Sequence, residues 1–267
     1  MEDKTHVKIN NLLYSCVDQK QRGNEQFVHE HALGYIIAGE THVLTNNGVH
    51  VIGEGTIGLI RRNQLLKTIK VPPANGEYKS INIYLTQDYL RRYSIEHQIE
   101  PIEKHNGELN RHLTADPFLK GYFDSLMPYF THKQQMSPAL SDLKTNEAIE
   151  LLLRSDPGLK DFLFDFSEPY KIDLEAYMNQ HYMYNVSSSH FAKLTGRSLA
   201  SFKRDFERIF KLPPGQWLQQ KRLSEAYYLI KQLGRKPSEV YLDVGFENLS
   251  HFSFAFKNTY GIAPSMV

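Results

Sequence analysis

The feature that most constrains the fold of this chain is an aromatic pattern that occurs twice in its last third. The two copies lie fifty residues apart and each ends in a proline: Phe202, Phe206, Phe210 and Pro214, then Phe252, Phe256, Tyr260 and Pro264. Leu194 also matches Val244, Leu199 matches Leu249, and a glycine precedes each copy, Gly196 and Gly245, offset by one residue. A spacing of four places side chains on one helix face. The repeat therefore predicts two helix-turn-helix units.

The second helix of the first unit has two different faces. Leu199, Phe202, Phe206 and Ile209 form an apolar stripe that we assign to the core, and Ser198 suits the N-cap. The opposite face carries Ala200, Ser201, Lys203, Arg204, Glu207 and Arg208. Such a face on an isolated helix is usually only solvated. In a helix-turn-helix, however, the second helix can enter the DNA major groove.

The charge distribution favours a DNA-binding role for that face. Residues 170–267 hold 13 Lys and Arg against 8 Asp and Glu, a net charge of +5, whereas residues 1–169 hold 18 against 22, a net charge of −4. A basic C-terminal part is typical of proteins with a polyanionic partner.

No apolar run is long enough to predict a membrane span, and no signal peptide is expected from the charged start. Cys16 is the only cysteine, which excludes a disulfide framework and fits a reducing cytoplasm.

The N-terminal part changes its hydrophobic period once. Residues 25–85 alternate short β-rich runs with turns, and THVLTNNGVHVI predicts a hairpin with Asn47-Gly48 in its turn. In EYKSINIYL, Ile81, Ile83 and Leu85 share one strand face. From about Gln87 the apolar spacing is helical. These patterns predict a small barrel or sandwich followed by helices. A domain boundary is expected at about 167–171. Beyond it we expect helices at about 174–182, 187–195, 199–210, 214–233, 237–244 and 250–260.

The C-terminal residues resemble the DNA-binding domain of AraC/XylS-type transcription regulators. The resemblance covers roughly 170–267 and rests on Gly196, Phe202, Phe206, Pro214–Trp217, Arg222-Leu223, Ala226, Leu229, Gly245-Phe246, Phe252, Phe256, Gly261 and Pro264. It implies an all-α domain with two helix-turn-helix units joined by one long helix. Their second helices would enter successive major-groove segments about one turn apart. Trp217 would have a core role at the base of the long helix.

The family pattern implies DNA-binding residues in both units. They are Ser198, Ala200, Ser201, Lys203, Arg204 and Arg208 in the first unit, and Leu249, Ser250, His251, Phe254 and Lys257 in the second. Arg204 suits a bidentate contact with guanine, and Lys203 suits guanine or phosphate. Phe254 stands where many members have arginine, so it either contacts a thymine methyl or packs internally. We therefore expect direct base readout mainly from the first unit, and phosphate and shape contacts from the second.

The family's N-terminal part is commonly a cupin-like β-barrel followed by helices, and the order of elements here is similar. GNEQFVHEH places Gly23 before His29 and His31, as in metal-binding cupins, where two imidazoles on one strand face join an acid and a later histidine. The acid of that motif is missing. We therefore expect His29 and His31 to line or rim the barrel without a metal, unless His42 or His50 completes a site.

Two further features of the N-terminal part leave alternatives open. Arg61 and Arg62, at a predicted strand end, could bind a carboxylate or phosphate ligand, or could only be solvated. The segment SDLKTNEAIELLLRSDP could form a dimer helix or could pack under the barrel. Its apolar residues include Leu143, Ile149, Leu152 and Leu153.

Together these patterns predict an α+β chain of two domains. We expect a cupin-like regulatory or dimerisation domain at 1–166, a linker at 167–173 and an AraC-type DNA-binding domain at 174–267. Such a protein would be a cytoplasmic transcription regulator and not an enzyme, without a cofactor. It would bind double-stranded DNA, contact RNA polymerase as an activator, respond to a small ligand, and could form a homodimer. Control by a protein partner is the main alternative, and a metal-dependent cupin enzyme is a remote one.

Overall fold

The computed structural model describes residues 6–23, 26–45, 48–99, 110–113, 116–132 and 136–267. The chain divides into two compact units, Met1–Ser167 and Glu168–Val267. Within these ranges the first unit contains β-sheets and four helices, and the second is helical. The predicted α+β fold class is therefore confirmed.

Two main antiparallel sheets build the first unit. Its strands are β1 (His6–Ile9), β2 (Leu12–Val17), β3 (Gln21–Arg22), β4 (Phe27–Val28), β5 (His31–Ala38), β6 (Glu40–Thr45), β7 (Gly48–Ile52), β8 (Ile57–Ile60), β9 (Gln64–Leu65), β10 (Lys67–Val71), β11 (Tyr78–Leu85) and β12 (Asn110–Leu113). The larger sheet has the order β1-β2-β11-β5-β8-β12 and the smaller one β3-β10-β6-β7, while β4 pairs with β9.

The strand signals in the middle of this unit are confirmed. In β11, Ile81, Ile83 and Leu85 are fully buried on one face of the larger sheet. The predicted hairpin joins β6 to β7, with Gly48 at a φ of +125°. Asn47, predicted for its turn, lies outside the described residues. Strands β1, β2 and β12 lie outside the predicted range 25–85, as does the two-residue β3.

Helices of the first unit share a core with the larger sheet. They are α1 (Gln87–Glu96), α2 (Pro117–Thr131), α3 (Pro138–Ser155) and α4 (Leu159–Phe164). In α3, the leucine-rich helix, Ile149 and Leu152 are fully buried in the same cluster as Leu33 and Leu59 of the sheet. Leu143 is 64% exposed. The buried face of α3 therefore packs under the sheet.

The second unit consists of short helices around one longer helix. They are α5 (Leu174–His181), α6 (Ser188–Leu194), α7 (Leu199–Phe210), α8 (Pro214–Lys231), α9 (Pro237–Asp243) and α10 (Leu249–Tyr260), followed by a 3-10 turn (Pro264–Met266). The predicted boundaries of the six helices are confirmed to within two residues. Among the described residues, no helix is both long and apolar enough to cross a membrane.

One detail of the predicted repeat is wrong. Helices α7 and α10 correspond with an offset of fifty residues, but α6 and α9 end 49 residues apart, because the second turn is one residue longer. This insertion explains the offset of Gly196 and Gly245. It also means that the buried residue equivalent to Val244 is Thr195, and not Leu194 as predicted.

Candidate DNA-binding surface

Both helix-turn-helix turns have the same backbone geometry. In the first unit the N–H of Gly196 donates to Lys193 at 3.0 Å, and the N–H of Arg197 donates to Ala192 at 2.9 Å. The same two bonds recur around Gly245 in the second unit, at 3.2 and 2.8 Å. This arrangement closes a helix on a left-handed residue. The φ angles are +64° and +95°, which favour glycine.

The second helix of each unit, α7 or α10, is called its recognition helix below, and the two begin and end alike. Ser198 caps α7 and Asn248 caps α10, each by accepting a backbone N–H of the first turn, at 3.3 Å and 2.8 Å. Each helix ends on a left-handed residue, Lys211 with a φ of +59° and Gly261 with a φ of +76°. The repeat is therefore one backbone frame used twice.

The repeated aromatic residues hold each recognition helix in the core. Phe202 and Phe206 of α7 are fully buried, as are Phe252 and Phe256 of α10. Trp217, at the start of α8, packs its ring 5.5 Å from that of Phe206. The tryptophan therefore packs against the core as expected, although its side chain is half-buried and not fully enclosed. Because the aromatic stripe faces inward, the opposite face of each helix points to solvent.

The residues that sequence reasoning assigned to DNA lie on those outward faces. In α7 and its cap, Ser198, Ala200, Lys203, Arg204 and Arg208 are exposed and Ser201 is half-buried. In α10, the exposed residues are Leu249, Ser250, His251, Phe254 and Lys257. We call these two groups the first and second reading faces.

Two assignments on these faces are corrected by the structure. Leu199 is 42% exposed and not part of the core, like its equivalent Leu249 at 39%. Each is the first residue of its helix, where the chain has only begun to turn toward the aromatic stripe. Phe254 is 66% exposed, so the alternative that it packs internally is wrong.

The reading faces differ in charge although their backbones match. The first carries three exposed cationic residues, Lys203, Arg204 and Arg208. The equivalent residues of α10 are Ser253, Phe254 and Asn258, which carry no charge. The first face therefore offers guanidinium and ammonium donors at three positions, whereas the second offers the ring of Phe254 among small polar groups, with Lys257 as its one lysine or arginine.

A buried carboxylate, which sequence reasoning missed, ties α7 to the chain before α5. Asp205 accepts from Nε of Arg197 at 3.2 Å, and Nζ of Lys171 lies 3.4 Å from the same oxygen. Arg197 also donates through Nη1 to the carbonyl of Ile172 at 3.0 Å. The bond from Arg197, with the ion pair to Lys171, holds the pKa of Asp205 below its usual range. The repeat did carry a signal for this role. The residue of α10 equivalent to Asp205 is Ala255, so a carboxylate stands at a position where the other copy has a small apolar residue.

Arg222 performs a similar task for the second unit. From α8 its guanidinium donates to the carbonyls of Tyr182 and Tyr184, each at 2.8 Å, and of Gly245 at 3.1 Å. Burial lowers the pKa of Arg222 to about 10. Its three donors are suited to three fixed carbonyls. The resemblance included Arg222 without a role, and the structure assigns it to the second turn.

The histidine pair of the first unit does not share a strand face. His31 is fully buried at the start of β5, with its ring 5.3 Å from that of Phe162. His29 is exposed, lies between β4 and β5, and packs its ring against Phe27. The two imidazoles therefore lack the shared strand face of the metal-binding cupin motif, because the strand begins only at His31. No three His, Cys, Asp or Glu side chains within the described ranges are grouped so that they could hold a metal ion.

The basic pair of the first unit contacts the end of that unit. Arg61 pairs with the carboxylate of Asp165 at 2.5 Å. Arg62 is 5% exposed and donates to the carbonyls of Asp165 and Ser167, at 3.3 and 2.9 Å. The alternative of a solvated strand end is therefore wrong. The carboxylate that Arg61 contacts belongs to the chain itself.

Comparison with known proteins gives matches to both units. The ExsA N-terminal regulatory domain matches residues 31–164, and a helix-turn-helix domain matches residues 191–267. The HTH-type transcriptional regulator ExsA of Pseudomonas aeruginosa is 22% identical over 243 residues, which cover 88% of this chain and 85% of that protein. The virulence regulon transcriptional activator VirF of Yersinia enterocolitica is 25% identical over 92 residues, 34% of each chain. The solved structure of apo ToxT from Vibrio cholerae aligns with a TM-score of 0.47 at 13% identity, covering 97% of this chain and 98% of that one.

Proposed function

The chain belongs to the AraC-type transcription regulators that carry an ExsA N-terminal regulatory domain, and we propose that it reads two adjacent major-groove segments of its target DNA through α7 and α10. The observation that supports this most directly is the pair of reading faces, which are exposed on equivalent helices of one repeated frame. Helices presented in this way by a double helix-turn-helix can enter successive stretches of the groove.

The first reading face would supply most of the base recognition. Arg204 can donate two hydrogen bonds to O6 and N7 of guanine, and Lys203 can contact guanine or a neighbouring phosphate. Arg208 lies one turn further along the helix and is suited to phosphate. Small Ala200 would let the backbone approach the groove floor.

The second reading face would depend more on apolar contact and shape. The exposed ring of Phe254 cannot read donors and acceptors, but it can pack against the methyl group of thymine. Ser250 and His251, at the start of α10, would contact base edges or phosphate, and Lys257 would contact phosphate. The two halves of the target should therefore respond differently to base changes.

The decisive experiment is to select the target from random DNA with the full-length protein and then to footprint it. We expect two protected patches about one helical turn apart. Arg204→Ala should lose roughly 1–3 kcal/mol of discrimination at one base pair. Lys203→Ala should reduce the salt dependence of binding by about one charge if it contacts phosphate. The control is Lys120→Ala, which removes one positive charge from a lysine side chain that is 59% exposed in the first unit.

Either of two results would contradict this proposal. A single protected patch would show that only one recognition helix enters the groove. Unchanged affinity and base preference in Arg204→Ala would show that another residue reads the base.

We further propose that the first unit controls the second and that the protein activates transcription. Two observations support this: the match to the ExsA N-terminal regulatory domain, and the similarity to VirF, a virulence regulon transcriptional activator. A small effector, contact with RNA polymerase and a homodimer fit the same scheme. Transcription in vitro from a promoter with the selected site tests the direction, since an activator raises the transcript level when added to polymerase alone. A lower transcript level would identify a repressor.

Binding of a protein to residues 1–167 without any small-ligand effect would favour control by a partner.

A further inference from the structure

The chain just before α5 packs against the first helix-turn-helix. Residues 170–172, called the strap below, pass the turn at Gly196 so closely that a Cβ there would lie 2.2 Å from the carbonyl carbon of Tyr170. The carbonyl of Ile172 accepts a hydrogen bond from Nη1 of Arg197 at 3.0 Å. The strap is therefore held against the turn that leads into α7.

Asp205 of α7 contacts both the strap and the first reading face. Its Oδ2 lies 3.2 Å from Nε of Arg197 and 3.4 Å from Nζ of Lys171 in the strap. Its Oδ1 lies 3.9 Å from Nη2 of Arg208, a member of the first reading face. The carboxylate is largely buried, whereas the side chains of Lys171 and Arg208 are exposed. One buried anion therefore has an exposed cation on either side.

The distances show that Arg208 is not committed to Asp205. A separation of 3.9 Å is too long for a hydrogen bond, whereas Arg197 donates to the same carboxylate at 3.2 Å. A largely buried carboxylate is unfavourable unless cations neutralise it. While Lys171 is in place, Asp205 has two cations closer than Arg208. If Lys171 moves away, Arg208 can replace the lost charge by closing the gap, and its guanidinium then leaves the reading face.

The second unit does not have this arrangement. The residue of α10 equivalent to Asp205 is Ala255, and the residue equivalent to Arg208 is Asn258. Displacement of the strap should therefore act on the first reading face and leave the second unchanged.

A short and stiff connection joins the strap to the end of the first unit. There Arg62 donates to the carbonyl of Ser167 at 2.9 Å, and only Glu168 and Pro169 lie between Ser167 and the strap. Proline fixes its own φ angle and restricts the residue before it to extended conformations. Two such residues offer little slack, so a movement of the chain at Ser167 would be passed to the strap.

We propose that Lys171 is a positioning residue that decides whether Arg208 is available to DNA. With the strap in place, Lys171 neutralises Asp205 and Arg208 binds a phosphate. With the strap displaced, Arg208 pairs with Asp205 and the first reading face loses that contact. The first unit controls DNA binding by moving the strap. This inference deepens the proposed function by naming its route of regulation, and it rests on that function for the contact of Arg208 with phosphate.

The salt dependence of DNA binding by the full-length protein, measured on the selected target, tests the competition for Asp205. Lys171→Met should weaken binding several-fold and reduce the slope of log affinity against log salt by about 0.9, the value of one phosphate contact. Adding Asp205→Asn to Lys171→Met should restore the slope, because an uncharged amide does not hold Arg208. Arg208→Met should reduce the slope in the wild-type chain but not in Lys171→Met. The control is Lys120→Met, which breaks a lysine–aspartate pair with Asp124 in the first unit and should keep the slope.

Three results would overturn the role of the strap. They are an unchanged slope in Lys171→Met, no recovery on adding Asp205→Asn, and a further fall when Arg208→Met is added to Lys171→Met. A purely structural strap predicts the second result, and direct contact of Lys171 with phosphate predicts the third.

Two controls keep the test decisive. Circular dichroism establishes that each variant is folded, and if Lys171→Met does not fold, Lys171→Gln carries the same test. Absence of a footprint with the wild-type protein would contradict the proposed function itself. An unchanged slope in a variant that still protects its target would contradict only the role of the strap.

Discussion

Replacement of Gly196 by alanine should lower the free energy of unfolding by more than the strain of its left-handed backbone angle alone. A Cβ at this position would lie 2.2 Å from the carbonyl carbon of Tyr170 and 2.5 Å from the backbone nitrogen of Lys171. These are backbone atoms and cannot rotate away as a flexible side chain could. Either the turn or the chain at 170–171 must move by roughly 1.5 Å to reach ordinary van der Waals contact.

The expected loss of stability has two parts. The left-handed φ of +64° costs an alanine about 1–2 kcal/mol. Movement of the 170–172 segment would also weaken the bond from Arg197 to the carbonyl of Ile172 and the contact of Lys171 with Asp205. Losing a hydrogen bond from a charged donor costs about 1.5–3 kcal/mol. The total is therefore about 2.5–5 kcal/mol.

Gly234→Ala is a matched control within the same unit. Its φ of +62° is nearly the same, and an added Cβ would meet no atom within 4 Å. The loss there should be only the backbone part, about 1–2 kcal/mol. Both variants would be unfolded in urea as full-length protein and followed by fluorescence of Trp217, the only tryptophan, which packs between aromatic residues of the second unit. Equal losses in the two variants would refute the argument from close approach.

Three other substitutions test separate parts of the second unit. Arg222→Met should cost about 3 kcal/mol in the same urea titration, because buried carbonyls lose their donor; a loss below about 1 kcal/mol would show that the guanidinium is dispensable. Phe254→Ala should abolish the affinity difference between targets that carry thymine and uracil at the contacted position, and an unchanged difference would mean that the ring does not touch the methyl. Because the pKa of Asp205 is depressed in the folded state, its stabilising effect should be present above about pH 4, the ordinary carboxyl pKa, and disappear as the pH falls through the lower folded value. Asp205→Asn should therefore destabilise at pH 7 and progressively less below pH 4, and a loss that stays constant with pH would contradict the ionic role.

The frame of the second unit could be predicted because its signals are local. The glycine turns, the serine cap and the four-residue aromatic spacing each act within a few residues, so the helix bounds follow from the sequence. The role of Arg222 could not be predicted because its partners are distant: it binds the carbonyl of Tyr182, forty residues away. For Asp205, Arg197 is only eight residues away, but the contact with Lys171 depends on how the chain before α5 packs against α7. A backbone carbonyl has no residue type, and no sequence pattern identifies it as a partner.

In the first unit the unpredicted features depend on strand pairing. Lys70 and Ser15 meet across two sheets although they are 55 residues apart. Which strands pair, and in which register, is decided by the packing of the whole core and not by any local pattern. For the same reason Arg61 and Arg62, read from sequence as a strand end, contact residues about one hundred positions later.

The two helix-turn-helix units keep one backbone frame with different supports. The turn at Gly196 is held by the 170–172 segment and the Arg197–Asp205 pair, whereas the turn at Gly245 is held by Arg222 from α8. Glycine, cap and aromatic residues recur in both copies because the frame itself requires them. The charged supports do not recur, because each unit lies against a different part of the chain. A substitution in one support should therefore weaken its own recognition helix first, and half-site binding can separate the two effects.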